Sequence, residues 1–200
     1  MEIIVNSSFQ TVLKMKRVLL LMLGFAMLAT SQISAKGDKT AAPDENNSEI
    51  QWLSIDQVQV KMKEHPKKVY IDMYTSWCGW CKRMDATTFK DADVAKYMNE
   101  HYYCVRFDAE RKDDVRFAGK MYHFDPQNNV NELALQLMGG REKLSYPTAI
   151  YMDEMFQNPQ PVPGYHDVAQ MEMITKYICE GIYKKQPFPD YQKAFTPTWK

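Results

Sequence analysis

The stretch Val69-Tyr70-Ile71-Asp72-Met73-Tyr74-Thr75-Ser76-Trp77-Cys78-Gly79-Trp80-Cys81-Lys82 decides the fold of this chain. Its first six residues are apolar and aromatic except for one acid, which predicts a buried strand. Two cysteines follow at C-x-x-C spacing, where the strand gives way to a helix. A sulfur at a helix N-terminus meets amide N–H groups that lack intrahelical partners and the positive end of the helix dipole, so its thiolate is stabilised. The thiolate is the form that attacks disulfides, which makes Cys78 the candidate nucleophile. Cys81, one turn further in, is placed to close a disulfide with Cys78 and release a bound partner.

Zinc knuckles use the same spacing, but a structural zinc site needs four ligands, normally from a second pair nearby. Here Cys104 and Cys179 stand alone and His65, His101, His123 and His166 are scattered singly, so no metal is expected. Asp72, six residues before Cys78, sits inside the apolar strand. A strand-end carboxylate facing water is one reading. The sharper one is a buried acid of raised pKa that takes the Cys81 proton when that thiol must attack.

In these residues the chain resembles the thioredoxin family: strand, buried acid, Trp-Cys-Gly-x-Cys-Lys loop and helix start all match. Further on, Ser145-Tyr146-Pro147-Thr148 ahead of Ala149-Ile150-Tyr151-Met152 is similar to the family's cis-proline and the strand it opens. The resemblance implies a three-layer α/β/α sandwich with a mixed central sheet. It places Pro147 against Cys78 and Cys81, where the Tyr146 backbone pairs with an extended substrate peptide. Trp77, Gly79 and Trp80 complete the implied substrate-binding surface, with Trp77 an apolar lip beside the sulfur and Lys82 a positive charge near the helix start. The likeness covers residues 50–183. It departs at Trp80, where thioredoxins proper carry proline, and in an insertion before the cis-proline.

The chain has 200 residues, enough for one domain with a sizeable core. Its 25 basic and 25 acidic residues balance, so no nucleic-acid partner is indicated. Lys14, Lys16 and Arg17 precede the apolar run of residues 18–29, and Ala29-Thr30-Ser31 and Ile33-Ser34-Ala35 offer small residues for cleavage. Residues 1–35 therefore read as a secretory signal peptide, whose true start is Met15 if the basic segment opens it. The apolar centre falls short of the roughly 20 residues that span a bilayer. Residues 36–49, rich in Asp, Asn, Lys and Ala, read as a flexible tether. Export, to the periplasm or another extracytoplasmic space, is the expected localisation.

Residues 50–185 make up the expected domain. Ser54-Ile55-Asp56-Gln57 has the form of a capping box opening a helix that ends before Pro66. After the active-site helix, a break at residues 87–91 and a helix with Val94, Tyr97 and Met98 on one face are expected. Tyr102-Tyr103-Cys104-Val105-Arg106-Phe107 reads as the second core strand, and Trp52 and Phe89 as core fillers. The insertion at residues 115–130 reads as a short hairpin around Gly119 and a loop, either a lid over one sheet edge or an element that chooses partners. Asn131 caps a short helix stopped by Gly139-Gly140. Residues 147–152 and 161–165 read as the final strands and residues 168–182 as the last helix. The tail, 186–200, carries Phe188, Tyr191, Phe195 and Trp199 among three prolines and is expected to pack back on the domain.

These expectations converge on an exported thiol–disulfide oxidoreductase, monomeric and without metal or organic cofactor. Its partners are protein thiols and disulfides and a thiol electron donor or acceptor. The strong oxidases and isomerases of the resembled superfamily carry histidine between the cysteines. Gly79-Trp80 offers no such charge, which leans the couple toward a reductase. The oxidase or isomerase direction, a thiol peroxidase, and a binding module with idle cysteines are the alternatives.

Overall fold

A computed structural model describes residues 48–199. The expected signal peptide and all but the last two residues of the expected tether lie outside the described residues. Glu49, the tether's final residue, is already part of the domain. Its carbonyl accepts from the Asn99 side chain at 2.9 Å, and the Asn99 side-chain oxygen in turn accepts from the Gln51 backbone N–H at 2.8 Å.

Five strands form the central sheet: β1 (Trp52–Leu53), β2 (Lys68–Tyr74), β3 (Tyr102–Asp108), β8 (Thr148–Met152) and β9 (Gln160–Pro163). Their order is β1-β3-β2-β8-β9, with β1, β3 and β2 parallel and β8 and β9 antiparallel. The sheet is mixed, as expected. Its two edges are blunted in ways natural edges often are: β1 has two residues, and β9 carries Pro161 and Pro163, which are tolerated where no neighbour needs their N–H.

Alternation along β2 separates two cores. Val69, Ile71 and Met73 face one layer, with Ile55, Val58 and Met62 of helix α1 (Ile55–Glu64). Tyr70 faces the other, with Met84 of α2 (Gly79–Ala86), Val94, Ala95 and Met98 of α3 (Ala92–His101) and Met171 and Ile174 of α5 (Val168–Cys179). Asp72, two residues on from Tyr70, belongs to that second face, beneath the helix that holds Cys81. The helix starts follow the sequence signals. Ser54 and Gln57 close the capping box of α1, and Asn131 caps α4 (Glu132–Met138) by accepting from Leu133 N–H at 3.0 Å.

The insertion is not a lid on a sheet edge. A hairpin, β4 (Val115–Phe117) with β5 (Lys120–Tyr122), a small pair, β6 (Phe124–Asp125) with β7 (Val130–Asn131), and α4 together complete the first core. Val115, Phe117, Val130, Leu133, Ala134 and Met138 are all buried there against β2, β3 and α1. The chain turns between β4 and β5 through Ala118 and Gly119, both at positive φ, the tight hairpin geometry that favours glycine at the second site.

One expectation at the C-terminal end is corrected. Helix α5 stops at Cys179 rather than residue 182, because Gly181 turns left-handed at φ 67° and a short 3-10 turn follows. The tail then forms a helix of its own, α6 (Phe188–Ala194), whose Pro189 sits in the first turn where proline costs nothing. Near the end of the chain, Trp199 lies 5.3 Å from the Tyr97 ring.

Candidate active site

Strand β2 delivers the chain to the site. After Tyr74 a turn closes with Cys78 N–H donating to the Thr75 carbonyl at 3.2 Å, and α2 begins with Cys78 as its N-cap. The Cys78 sulfur accepts from the Cys81 backbone N–H at 3.0 Å, the helix N-terminal interaction that favours a thiolate. Cys78 and Cys81 are joined in a disulfide, their Cα atoms 5.3 Å apart, and both residues are buried. Cys104 and Cys179 are free. Gly79 faces open space where a side chain would begin.

Aromatic rings rise on both flanks of the disulfide. Trp77 is 64% exposed and Trp80 57%, values high for indoles that carry no other duty. Trp77 meets the Tyr146 ring edge-on at 5.9 Å, and the Tyr146–Pro147 peptide bond is cis, so the loop before β8 lies beside the cysteine loop. Gly164 N–H donates to the Pro147 carbonyl at 2.8 Å, which ties that loop to the end of β9. On the other flank Trp80 lies 5.4 Å from Tyr165, and the Arg83 guanidinium covers both rings at 5.5 and 5.7 Å. Tyr165 and Arg83 escaped sequence reading. Their signal is weak: one residue just past a strand and one surface cation on a helix.

Beneath the helix lies the acid. Asp72 is 2% exposed, and burial, only partly offset by Arg106 and reinforced by Asp85, pushes its carboxyl up to about 7. Arg106 stands directly across from Asp72 in the parallel register of β2 and β3. Its Nε approaches Asp72 Oδ2 at 3.3 Å but aligns for no hydrogen bond, whereas its Nη2 holds both carboxylate oxygens of Asp85 at 2.8 Å. The guanidinium lies over the Tyr74 ring at 4.7 Å and the Trp52 ring at 5.5 Å. Trp52 is therefore more than a filler of core. The Arg106 signal was legible in principle, as the single cation of a largely apolar and aromatic strand.

The strand order, the cis-proline and the helix-capping C-x-x-C disulfide together decide the class, and residues 35–128 match the model of a family described as Thioredox_DsbH, a protein of unknown function (DUF255). The chain is thioredoxin-like. The family match ends within the insertion, so it covers α1, the cysteine loop and β3 but not the cis-proline half of the thioredoxin-like domain. Among curated proteins, mouse spermatogenesis-associated protein 20 is 31% identical over 55 residues, 28% of this chain and 7% of that protein. The chain thus spans under a tenth of that relative's length. Among solved structures, a thioredoxin-fold protein from Helicobacter pylori is 20% identical, with a TM-score of 0.48 over 64% of this chain and 80% of its own. A DsbH oxidoreductase is 18% identical, with a TM-score of 0.47 over 74% of this chain and 96% of its own.

Proposed function

We propose that this thioredoxin-like domain is an exported thiol–disulfide oxidoreductase that works as a reductase on protein disulfides. The observation that carries the reading is the Cys78–Cys81 disulfide at the start of α2, above a buried carboxyl that ionises near neutrality. In the dithiol form the Cys78 thiolate attacks one sulfur of a substrate disulfide. A bond forms between Cys78 and that sulfur, and the other substrate sulfur leaves as a thiolate and takes a proton. The Cys81 thiol then gives its proton to the Asp72 carboxylate and attacks the Cys78 sulfur. The mixed disulfide breaks, the second substrate thiol departs, and two electrons have passed from the Cys78–Cys81 pair to the substrate. A thiol donor restores the dithiol. Trp77, Tyr146 and Pro147 line one side of the approach and Trp80 the other, where an extended peptide lies along the Tyr146 backbone.

The direction rests on the loop between the cysteines. Gly79 and Trp80 supply no charge to hold the Cys78 thiolate as a histidine would, so the reduced form is the less stabilised and donates electrons more readily. Export rests on the basic residues Lys14, Lys16 and Arg17 and the apolar run of residues 18–29. Reduction of insulin disulfides with dithiothreitol as donor tests the enzyme: turbidity from the freed chains appears quickly with the wild-type protein and at the uncatalysed rate with Cys78→Ser. Equal rates for the two proteins overturn the reading in favour of a binding module with idle cysteines. The equilibrium potential of the pair tests the direction, and a value near that of strong oxidants reverses it.

A further inference from the structure

Arg106 has more claims on it than one cation can meet. Its guanidinium lies over the Tyr74 and Trp52 rings, and its N–H groups are what it offers to carboxylates. The stronger donor, Nη2, is taken by Asp85, and only the poorly aligned Nε reaches Asp72. Asp85 comes from α2, four residues after Cys81, so the two share one helix face above the Asp72 side of the sheet. The Arg106–Asp85 pair lines a cleft of about 250 Å³, with Trp52 and Lys90 on its walls. Nothing in the proposed exchange chemistry by itself requires an acid at position 85.

We propose that Asp85 is a positioning residue for the resolving step: it holds Arg106 by the terminal nitrogen, so that the cation never fully neutralises Asp72 and the carboxylate remains able to take the Cys81 proton. The proposal rests on the oxidoreductase reading above. Without Asp85, Arg106 turns its fork toward Asp72 and forms the aligned, charge-assisted pair that the present geometry denies it. Asp72 then stays ionised to lower pH and is a weaker base. Charged and titratable groups face Asp72 from three elements. Arg106 comes from β3, Asp85 from α2 beside Cys81, and Tyr70 and Tyr74 from its own strand. Strand β8 sets Ala149 opposite it, which does not titrate.

The test is a carboxyl carbon-13 NMR titration of Asp72 in the oxidised protein, for wild type, Asp85→Asn and Asp85→Glu, with Asp85→Ser in place of the asparagine variant should that one not fold. A parallel series records the rate at which Cys81 releases a Cys78 mixed disulfide against pH. In Asp85→Asn the Asp72 midpoint falls by about one pH unit, at the low end of what a newly paired cation does to a carboxylate. The pH at which release is half-maximal falls with it, and Asp85→Glu keeps both near wild type. An Asp72 midpoint that does not move in Asp85→Asn overturns the inference, as does a midpoint that moves while the release profile stays put. The titration needs no turnover. A wild-type protein that fails to reduce insulin therefore sinks the enzyme reading and not the carboxylate network, whereas an active enzyme with an unmoved Asp72 sinks this inference alone.

Discussion

Asp72 carries a folding penalty for its chemistry. A carboxyl held up to about 7 in the fold ionises near 4 in the unfolded chain. Between those values the unfolded chain has lost a proton that the folded one keeps, so stability falls as pH rises from about 4 to about 7 and then levels off. Replacing the acid removes the penalty. Asp72→Asn is expected to stabilise the oxidised protein by on the order of 3 kcal/mol at pH 8 and by little at pH 4. Urea unfolding of both proteins at the two pH values measures the gap, and a gap that fails to widen with pH shows that Asp72 is not burdened by burial. The same variant resolves mixed disulfides slowly, since Cys81 has lost its base. Stability gained and activity lost by one substitution is the pattern expected of a residue kept for function rather than for packing.

At the scale of elements, the insertion and the helix that follows it behave as core. Leu133 of α4 is fully buried against β2, β3 and α1, so Leu133→Ala is expected to cost about 2–5 kcal/mol in chemical unfolding while leaving insulin reduction by the folded fraction unchanged. A cost below about 0.5 kcal/mol would mean that the segment is only draped over the sheet. This layer shows what the sequence could disclose. Signals confined to a few residues were legible: the Ser54–Gln57 box, the Asn131 cap, the hairpin at Gly119 and the C-x-x-C at a strand-to-helix junction. So was the buried acid, because a carboxyl placed mid-strand among apolar residues must lose its water when the strand packs. What depended on how distant elements meet was not legible. The side of the sheet that the insertion covers follows from packing, not from its own periodicity. The grip of Asp85 on Arg106 needs the parallel register of β2 with β3 and the seating of α2 above it. Helix α6 was not legible either: Pro187 and Pro189 stand at its start, where a first turn accepts proline without the sequence announcing a helix.

At the scale of the whole domain, the C-terminal segment is fastened by a single buried acid. Glu172 of α5 has no exposed surface, yet it is charged, and its partners account for that. Lys176 Nζ lies at 2.6 Å, Thr198 N–H donates at 2.8 Å and Trp199 N–H at 3.0 Å, with the Thr198 hydroxyl as a fourth donor. Burial alone pushes such a carboxyl up; the donors outweigh it and hold Glu172 down at about 2. Trp199 is thereby pressed on Tyr97 and under the Lys176 ammonium, closing the second core beside α3. Because the folded value lies below the unfolded one of about 4.5, the contribution to stability is complete above pH 4.5 and is lost as pH falls toward 2. Glu172→Gln, which keeps the shape and removes the charge, is expected to cost about 1.5–3 kcal/mol at pH 7, the worth of hydrogen bonds to a charged acceptor. The Thr198 and Trp199 amide resonances report the fastening directly. They are expected to hold their shifted positions from pH 7 through pH 4.5 and to move toward random-coil values only as the folded carboxyl protonates at about 2, and in Glu172→Gln to lie near those values at every pH. Amide positions that ignore both the acid range and the substitution would show that the segment is held by its aromatic rings and not by Glu172. The Cys78–Cys81 pair shares none of these contacts, so insulin reduction by the folded variant is expected to stay at the wild-type rate.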